Sequence, residues 1–347
     1  MFVSGTIEDC FTMQFFDILS AYAKANNINI DTDKKFYLID HVTDDYPPGY
    51  DHYFVENGNE HLSVLGKAKR LVDEQKADLL YGSYLHKKHP LFDRTISMAG
   101  STNLSNIFYT SPFYFTSLLF KKQHRDKNLT FINGENRSVR HYFLDQVSKY
   151  MDLVINNSQS TIKTNLTGYY NNADNIFANY CNNLYDIDNS PTNHISTNII
   201  SFGKFGQTRL SYEPLPEYFT SRCMVYPETT FYNWEIFITE KTWKCVKAKT
   251  HWIIFAGAGS YEVMREVGLR SIIELCPDSM NDFDSIEDHI LRIEKISKCC
   301  EYISNNSSIF DSSEAHNMLE LNYENFHNPL LSVERCVKPF IDRYIST

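Results

Sequence analysis

The sequence lacks the patterns that mark several common protein classes. None of its eight cysteines has the C-x-x-C spacing of a zinc ribbon or a thioredoxin-like motif. The Walker A, G-x-S-x-G and H-E-x-x-H patterns do not occur, and no apolar run approaches the roughly 18–20 residues of a membrane-spanning helix. A zinc ribbon, a P-loop nucleotidase and a helical membrane protein are therefore not expected.

Positive charge is also scarce. The chain has 33 Lys and Arg residues against 43 Asp and Glu residues, which gives a net charge of −10 at pH 7. This balance disfavours a protein that binds duplex DNA through a global basic field.

The first ten residues lack the basic segment of a secretory signal, and the cysteines fit reduced thiols. We therefore expect a cytoplasmic protein (in the host cytoplasm if it is viral) without membrane association.

Runs typical of strands alternate with runs typical of helices. Early apolar runs at 1–5, 35–41 and 77–85 have helical patterns between them. Later in the chain the sequence predicts strands at 129–133, 152–156, 223–228 and 252–256 and helices at 140–151, 240–249 and 260–267. Gly268 is expected to close the last of these helices as its C-cap. This alternation predicts an α/β fold with mostly parallel sheets.

The length of 347 residues leaves room for two domains. A polar break at 121–128 separates the two series of strands and helices. We expect two Rossmann-like domains that face a cleft, one at 1–125 and one at 126–285, followed by C-terminal helices at 286–347.

The start of the predicted helix 240–249 is the first candidate site. Thr239 fits an N-cap, which places Glu240 and Lys241 in the first turn, where backbone N–H groups and the helix dipole attract anions. The Glu240 carboxylate suits a ribose diol and the Lys241 ammonium suits a diphosphate; an ordinary helix start with a solvated lysine is the alternative. A glycine turn at 257–259 opens the next helix, and the two helix starts would form two walls of one anion pocket.

Ligands in open α/β sheets bind beyond the carboxyl ends of the strands. Arg137 and Arg140 follow one predicted strand with the i, i+3 spacing of a single helix face, so both guanidiniums suit a diphosphate; a solvated basic face is the alternative. Glu228 ends another strand and would face the same ligand, unless it is an ordinary loop carboxylate. Glu8 or Asp9, after the first strand, is the candidate general base for an acceptor hydroxyl, and ordinary helix-start acids are the alternative.

Two patterns suggest metal binding more weakly. Asp186 and Asp188 have the D-x-D form that holds Mn²⁺ under a nucleotide diphosphate in some enzymes, but they lie in an Asn-rich stretch of an acidic chain. His86 and His89 fit a solvated loop better than a pair of metal ligands. We therefore predict no metal site and no cofactor.

Together these segments resemble the donor domain of α-1,3-fucosyltransferases. The stretch YPETTFYNWEIFITEKTWKCVKAKTHWIIFAGAGS (226–260) resembles the family's donor-binding segment, in which an acidic strand end precedes a T-E-K helix start, an apolar strand and a glycine turn. Residues 131–156 resemble the family's first donor-domain unit. The likeness covers roughly 129–275, and it extends to phage-encoded proteins that carry the same T/S-E-K helix and R-x-x-R/H helix start.

The resemblance implies a GT-B-like glycosyltransferase that uses a nucleotide-diphosphate sugar as donor and inverts configuration without a metal. In the family a lysine and an arginine contact phosphate and a glutamate contacts ribose, which implies these roles for Lys241, for Arg137 or Arg140, and for Glu240. The family's F-E-N-S motif is replaced by Tyr-Pro-Glu-Thr at 226–229, and the acceptor domain has no match, so fucose does not carry over as the donor sugar.

Two acceptors remain open. A hydroxymethylated DNA base of a phage genome would have to be flipped out of the duplex, and a basic cluster at the cleft edge would have to offset the net charge; the candidates are Lys121, Lys122, His124 and Arg125. A glycan is the other acceptor. Competing hypotheses are a metal-dependent transferase built on Asp186 and Asp188, a non-catalytic sugar-nucleotide-binding module and a plain nucleotide-binding scaffold.

Overall fold

The computed structural model describes about half of the chain in sixteen segments, and every structural statement here concerns those residues. They are 2–6, 19–30, 35–39, 53–56, 59–62, 74, 78–81, 84–85, 92–97, 124–133, 138–156, 199–201, 217–228, 235–236, 238–327 and 337–345. The chain divides into two compact units, one of Met1–Asn106, Tyr232–Phe237 and Asn325–Thr347, the other of Ile107–Phe231 and Ile238–Glu324. The domain boundaries expected from the sequence stay predictions.

The first unit contains a four-stranded parallel sheet. Its strands are β1 (Phe2–Thr6), β2 (Lys35–Ile39), β5 (Asp78–Tyr81) and β7 (Thr95–Ser97), in the order β1-β2-β5-β7. A hairpin of β3 (Tyr53–Glu56) and β4 (Asn59–Leu62) and an antiparallel pair of β6 (Tyr84–Leu85) and β12 (Glu235–Ile236) complete its described strands.

The last described helix packs on this first sheet. Residues Val337, Phe340 and Ile341 share one buried apolar cluster with Phe36 of β2 and its neighbours. The Phe36 and Phe340 ring centroids lie 5.3 Å apart, a favourable spacing for an aromatic pair. The C-terminal residues therefore stabilise the unit that contains the N-terminus.

The second unit contains a five-stranded parallel sheet, and with the first sheet it confirms the predicted α/β class. Its strands are β8 (Lys127–Asn133), β9 (Leu153–Asn156), β10 (Ile199–Ser201), β11 (Ser221–Pro227) and β13 (His251–Phe255), in the order β10-β9-β8-β11-β13. Counted along the chain, this order is third, second, first, fourth, fifth, as in doubly wound nucleotide-binding sheets. The direction of the order reverses between β8 and β11.

Six α-helices among the described residues accompany this sheet. They are α1 (Ser138–Val147), α2 (Glu217–Thr220), α3 (Glu240–Lys247), α4 (Ser260–Glu266), α5 (His289–Asn305) and α6 (Ser313–His327), and α7 (Lys338–Tyr344) belongs to the first unit. Every residue of β13 is buried, as expected where helices cover a parallel sheet. The predicted C-cap Gly268 is confirmed: it has φ of 78°, and Leu269 N–H donates to Met264 O in the Schellman pattern.

Arg125 has a structural role in this unit. Its guanidinium donates to the Ser221 and Ala248 carbonyls at 2.5 and 2.7 Å, to the Lys249 carbonyl at 2.8 Å and to Thr250 Oγ1 at 2.6 Å. Burial lowers the pKa of Arg125 to about 10, so it stays charged at pH 7. It lies before β8, at the amino edge of the sheet and the C-terminal end of α3. The expectation that Arg125 lines the edge of an acceptor cleft is therefore wrong.

Replacing Arg125 by Met is expected to lower the free energy of unfolding by about 2–4 kcal/mol, because several partly buried acceptors lose their donor. Urea unfolding measures this loss. Arg222→Met is the matched control, since Arg222 pairs with exposed Asp311 at 3.1 Å and should cost at most about 1 kcal/mol. Equal losses in the two variants would contradict the structural role of Arg125.

Candidate functional site

The candidate site lies at the carboxyl edge of the five-stranded sheet, where the strand order reverses. In open α/β sheets this reversal opens a crevice beyond the carboxyl ends of the two central strands. Here those strands are β8, which ends at Asn133, and β11, which is followed directly by Glu228. Helix α1 follows β8, and helix α3 begins twelve residues after Glu228, so both helix starts lie at this edge.

The start of α3 has the capped geometry that the sequence predicts. Thr239 is the N-cap in an extended conformation, and its Oγ1 accepts a hydrogen bond from the backbone N–H of Lys241 at 3.4 Å. The side-chain ammonium of Lys241 donates to the same oxygen at 3.1 Å. Glu240 is the first residue of the helix. The cap thus fixes the backbone of Lys241 and one contact of its ammonium.

Glu228 is the buried centre of the site. Its carboxylate accepts from Thr239 N–H at 3.2 Å, from Thr239 Oγ1 at 2.5 Å and from Thr242 Oγ1 at 3.0 Å, and the Lys241 ammonium lies 3.6 Å from Oε2. Thr242 Oγ1 also accepts a hydrogen bond from Tyr226 at 2.8 Å. Buried charge is tolerated only where it is paired and hydrogen-bonded, and this network meets that requirement.

Arg140 contacts the backbone of Glu228. It lies on α1, it is buried, and its Nη2 donates to the backbone carbonyl of Glu228 at 2.9 Å. Burial, and to a lesser degree the charge of Arg140, lowers the pKa of the neighbouring His141 to about 4. His141 is therefore neutral at pH 7, and the charge on this turn of α1 belongs to Arg140.

Two asparagines lie at the carboxyl edge of the sheet, next to the point where the strand order reverses. Asn133 and Asn156 end the adjacent strands β8 and β9 and are paired in register. Both side chains are buried, and Asn133 Nδ2 donates to Asn156 Oδ1 at 2.9 Å. Sequence reasoning missed Asn156, and it also missed Thr242 and Tyr226. The only available signal was position: Asn156 ends a strand, Thr242 lies about one helical turn after the N-cap, and Tyr226 lies two residues before Glu228.

The second helix start is not an open anion site. Asp284 accepts hydrogen bonds from the backbone N–H groups of Tyr261 and Glu262 at 3.1 and 2.8 Å, and its carbonyl accepts from Gly259 N–H at 2.7 Å. The chain's own carboxylate therefore occupies the first turn of α4. The expectation that α3 and α4 form two walls of one anion pocket is wrong for α4.

Other sequence-predicted residues lie outside the described part of the chain. They are Glu8, Asp9, His86, His89, Lys121, Lys122, Arg137, Asp186 and Asp188, and their roles stay predictions. Among the described residues no group of three or more His, Cys, Asp or Glu side chains could hold a metal ion. Within the same residues, no helix is long and apolar enough to cross a membrane.

Comparisons with known proteins give little further information. No protein-family model matches the chain, and no curated protein matches it. A solved structure described as "Crystal Structure of alpha1,3-Fucosyltransferase" is similar over 88% of this chain and 72% of that chain, with 11% identity and a TM-score of 0.28. A TM-score this low does not establish a shared fold or function.

Proposed function

We propose that the chain is a nucleotide-sugar glycosyltransferase whose second unit binds the diphosphate of the donor at the start of α3. One observation carries this proposal. Two cationic residues contact Glu228 where the sheet order reverses: Arg140 donates a hydrogen bond to its carbonyl, and Lys241 forms an ion pair with its carboxylate at 3.6 Å. Doubly wound sheets bind nucleotides at that point, and paired cations are the groups that neutralise a diphosphate.

The two cations differ in a way that suits a diphosphate. Arg140 carries a planar guanidinium that is always charged and can bind phosphate oxygens in a fork, whereas the Lys241 ammonium is a compact point charge. The Lys241 side chain is 12% exposed, so water screens its charge less than that of a surface lysine. Since Lys241 lies in the first turn of α3, the positive end of the helix dipole adds to its attraction for phosphate.

The sequence resemblance supplies the remaining donor contacts of this proposal. Glu240, next to Lys241, would accept hydrogen bonds from the ribose hydroxyls, and Arg137 would add a second guanidinium to the phosphates. Thr239 contributes through the cap that orients Lys241. When the sugar leaves, negative charge develops on the nucleotide diphosphate, and fixed cations at this edge would stabilise it without the reorganisation that water requires. Such cations do the work of a metal ion, which supports metal-independent transfer.

The acceptor that we propose is a carbohydrate hydroxyl. A duplex DNA acceptor needs a basic surface, whereas the chain carries a net charge of −10. Arg125, one of the basic residues available to offset it, is instead bonded to carbonyls at the opposite edge of the sheet. Transfer to a hydroxymethylated DNA base, with no transfer to any glycan, would contradict this choice of acceptor.

Replacing Lys241 by Met is expected to weaken binding of a nucleoside diphosphate by about 1–3 kcal/mol, because a charge-assisted contact to phosphate is lost. Calorimetric titration with UDP, GDP and dTDP measures this, using the nucleotide that binds the wild type most tightly.

Lys295→Met is the matched control, because Lys295 forms an ion pair with Asp282 at 2.8 Å and lies on α5. It should bind as the wild type does. Unchanged affinity in Lys241→Met, or a wild type that binds none of the three nucleotides and none of their sugars, would contradict the proposed donor site.

We propose Glu8 or Asp9 as the general base that deprotonates the acceptor. Glu8→Gln and Asp9→Asn, made separately, should show one variant with lower turnover and unchanged donor affinity, since a base acts in the chemical step. A transfer assay with the identified donor measures this, and the same assay should proceed in EDTA. Normal turnover in both variants would place the base elsewhere, and loss of turnover in EDTA would contradict metal independence.

A further inference from the structure

Glu228 contacts α1, the start of α3 and β13, through its backbone as well as its side chain. We propose that Glu228 is a positioning residue that sets the orientation of Arg140 and Lys241 and does not contact the sugar of the donor. This role rests on the proposed function, because it assigns the two cations to the donor diphosphate. It replaces the direct ligand contact that the position of Glu228 at the end of β11 predicts from the sequence.

The carboxylate already uses most of its acceptor capacity within the protein. An ionised carboxylate offers about four lone-pair directions. Three are used by hydrogen bonds from Thr239 and Thr242, and the Lys241 ammonium lies 3.6 Å from Oε2. The Glu228 side chain is 0% exposed. A sugar hydroxyl could bind here only by displacing part of this network.

The backbone of Glu228 fixes the second cation. Its N–H donates to the Phe255 carbonyl at 2.8 Å, which continues the pairing of β11 with β13 by one residue beyond Pro227. Its carbonyl accepts from Arg140 Nη2 at 2.9 Å. The strand pairing therefore fixes the carbonyl that orients Arg140, while the side chain of the same residue orients Lys241. One residue therefore contacts both cations.

The hydroxyl groups behind Glu228 give its hydrogen bonds a fixed direction. Burial raises the pKa of Tyr226 well above its usual value, so its phenol stays protonated and donates to Thr242 Oγ1. The Thr242 hydroxyl then has its own hydrogen available for Glu228 Oε1 at 3.0 Å. Hydrogen bonds thus run from Tyr226 to Thr242 and from Thr242 to the carboxylate of Glu228. These hydrogen bonds hold the carboxylate in the orientation that faces Lys241.

Glu228→Gln tests the role because it keeps the size of the side chain and removes its charge. The amide NH₂ at the position of Oε2 would face the Lys241 ammonium, so Lys241 is expected to leave its present orientation. Affinities for the nucleoside diphosphate and for the corresponding nucleotide sugar should both fall by about tenfold, and their ratio should stay at the wild-type value. A residue that contacts the sugar would lower the affinity of the nucleotide sugar alone.

Thr242→Val provides a second variant that keeps the charge of Glu228. It removes one hydrogen bond to the carboxylate, and we expect a smaller fall, about two- to fivefold, that is again equal for the two ligands. Glu320→Gln is the matched control, since Glu320 forms an ion pair with Lys249 and is exposed; it should bind both ligands as the wild type does. Circular dichroism at the titration temperature checks that each variant is folded. In a folded variant, a residue that contributes only to the stability of the fold would leave both affinities unchanged.

Each outcome decides between the proposals. An equal fall in both affinities supports the positioning role; if Glu228→Gln does not fold, Thr242→Val gives the result. A fall for the nucleotide sugar alone, unchanged affinities, or tighter binding caused by removal of a negative charge would overturn the positioning role and leave the proposed function intact. A wild type that binds neither ligand overturns the proposed function and this role together.

Discussion

The candidate site depends on the buried carboxylate of Glu228. An ionised carboxylate that is removed from water without partners costs several kcal/mol. Here the cost is offset by hydrogen bonds from Thr239 and Thr242 and by the nearby ammonium of Lys241. Because those partners all come from the first turn of α3, the charge can be buried only if that turn is in its present place. The carboxylate and the helix start therefore require each other.

The same helix carries a charge at each end that complements its dipole. Glu228 lies at the N-terminal end of α3, where the partial charge is positive, and the Arg125 guanidinium binds the Ala248 and Lys249 carbonyls after the C-terminal end, where it is negative. A helix of eight residues has little stability of its own. Two opposite charges, fixed at the two edges of one parallel sheet, hold it in position, and Lys241 is positioned with it.

Local features of the site could be predicted from the sequence. The cap by Thr239 depends on a contact to Lys241 two residues later, and the Gly268 C-cap depends on neighbours within a few residues. Four of the five strands of the second sheet were predicted because burial on both faces makes them continuous apolar runs, whereas β10 (Ile199–Ser201) was not predicted. These are the features whose partners are close in sequence.

Contacts between distant residues could not be predicted in this way. Arg125 meets Ser221 and Thr250, which are 96 and 125 residues away, and nothing near Arg125 in the sequence distinguishes it from a solvated basic residue. Asp284 caps α4 from more than twenty residues away, so the glycine turn alone could not show that this helix start was occupied. Glu228 was found by its place at a strand end, but the direction of its carboxylate depends on the fold of α3.

The most direct test of the account is amide hydrogen exchange of the full chain with and without a saturating nucleoside diphosphate that calorimetry shows to bind. If phosphate binds at the start of α3, exchange should slow in peptides that contain Glu228 and residues 239–242, because ligand binding stabilises the network that holds them. Peptides from α6 should exchange at an unchanged rate. Protection confined to other elements, with residues 239–242 unaffected at saturation, would contradict the account.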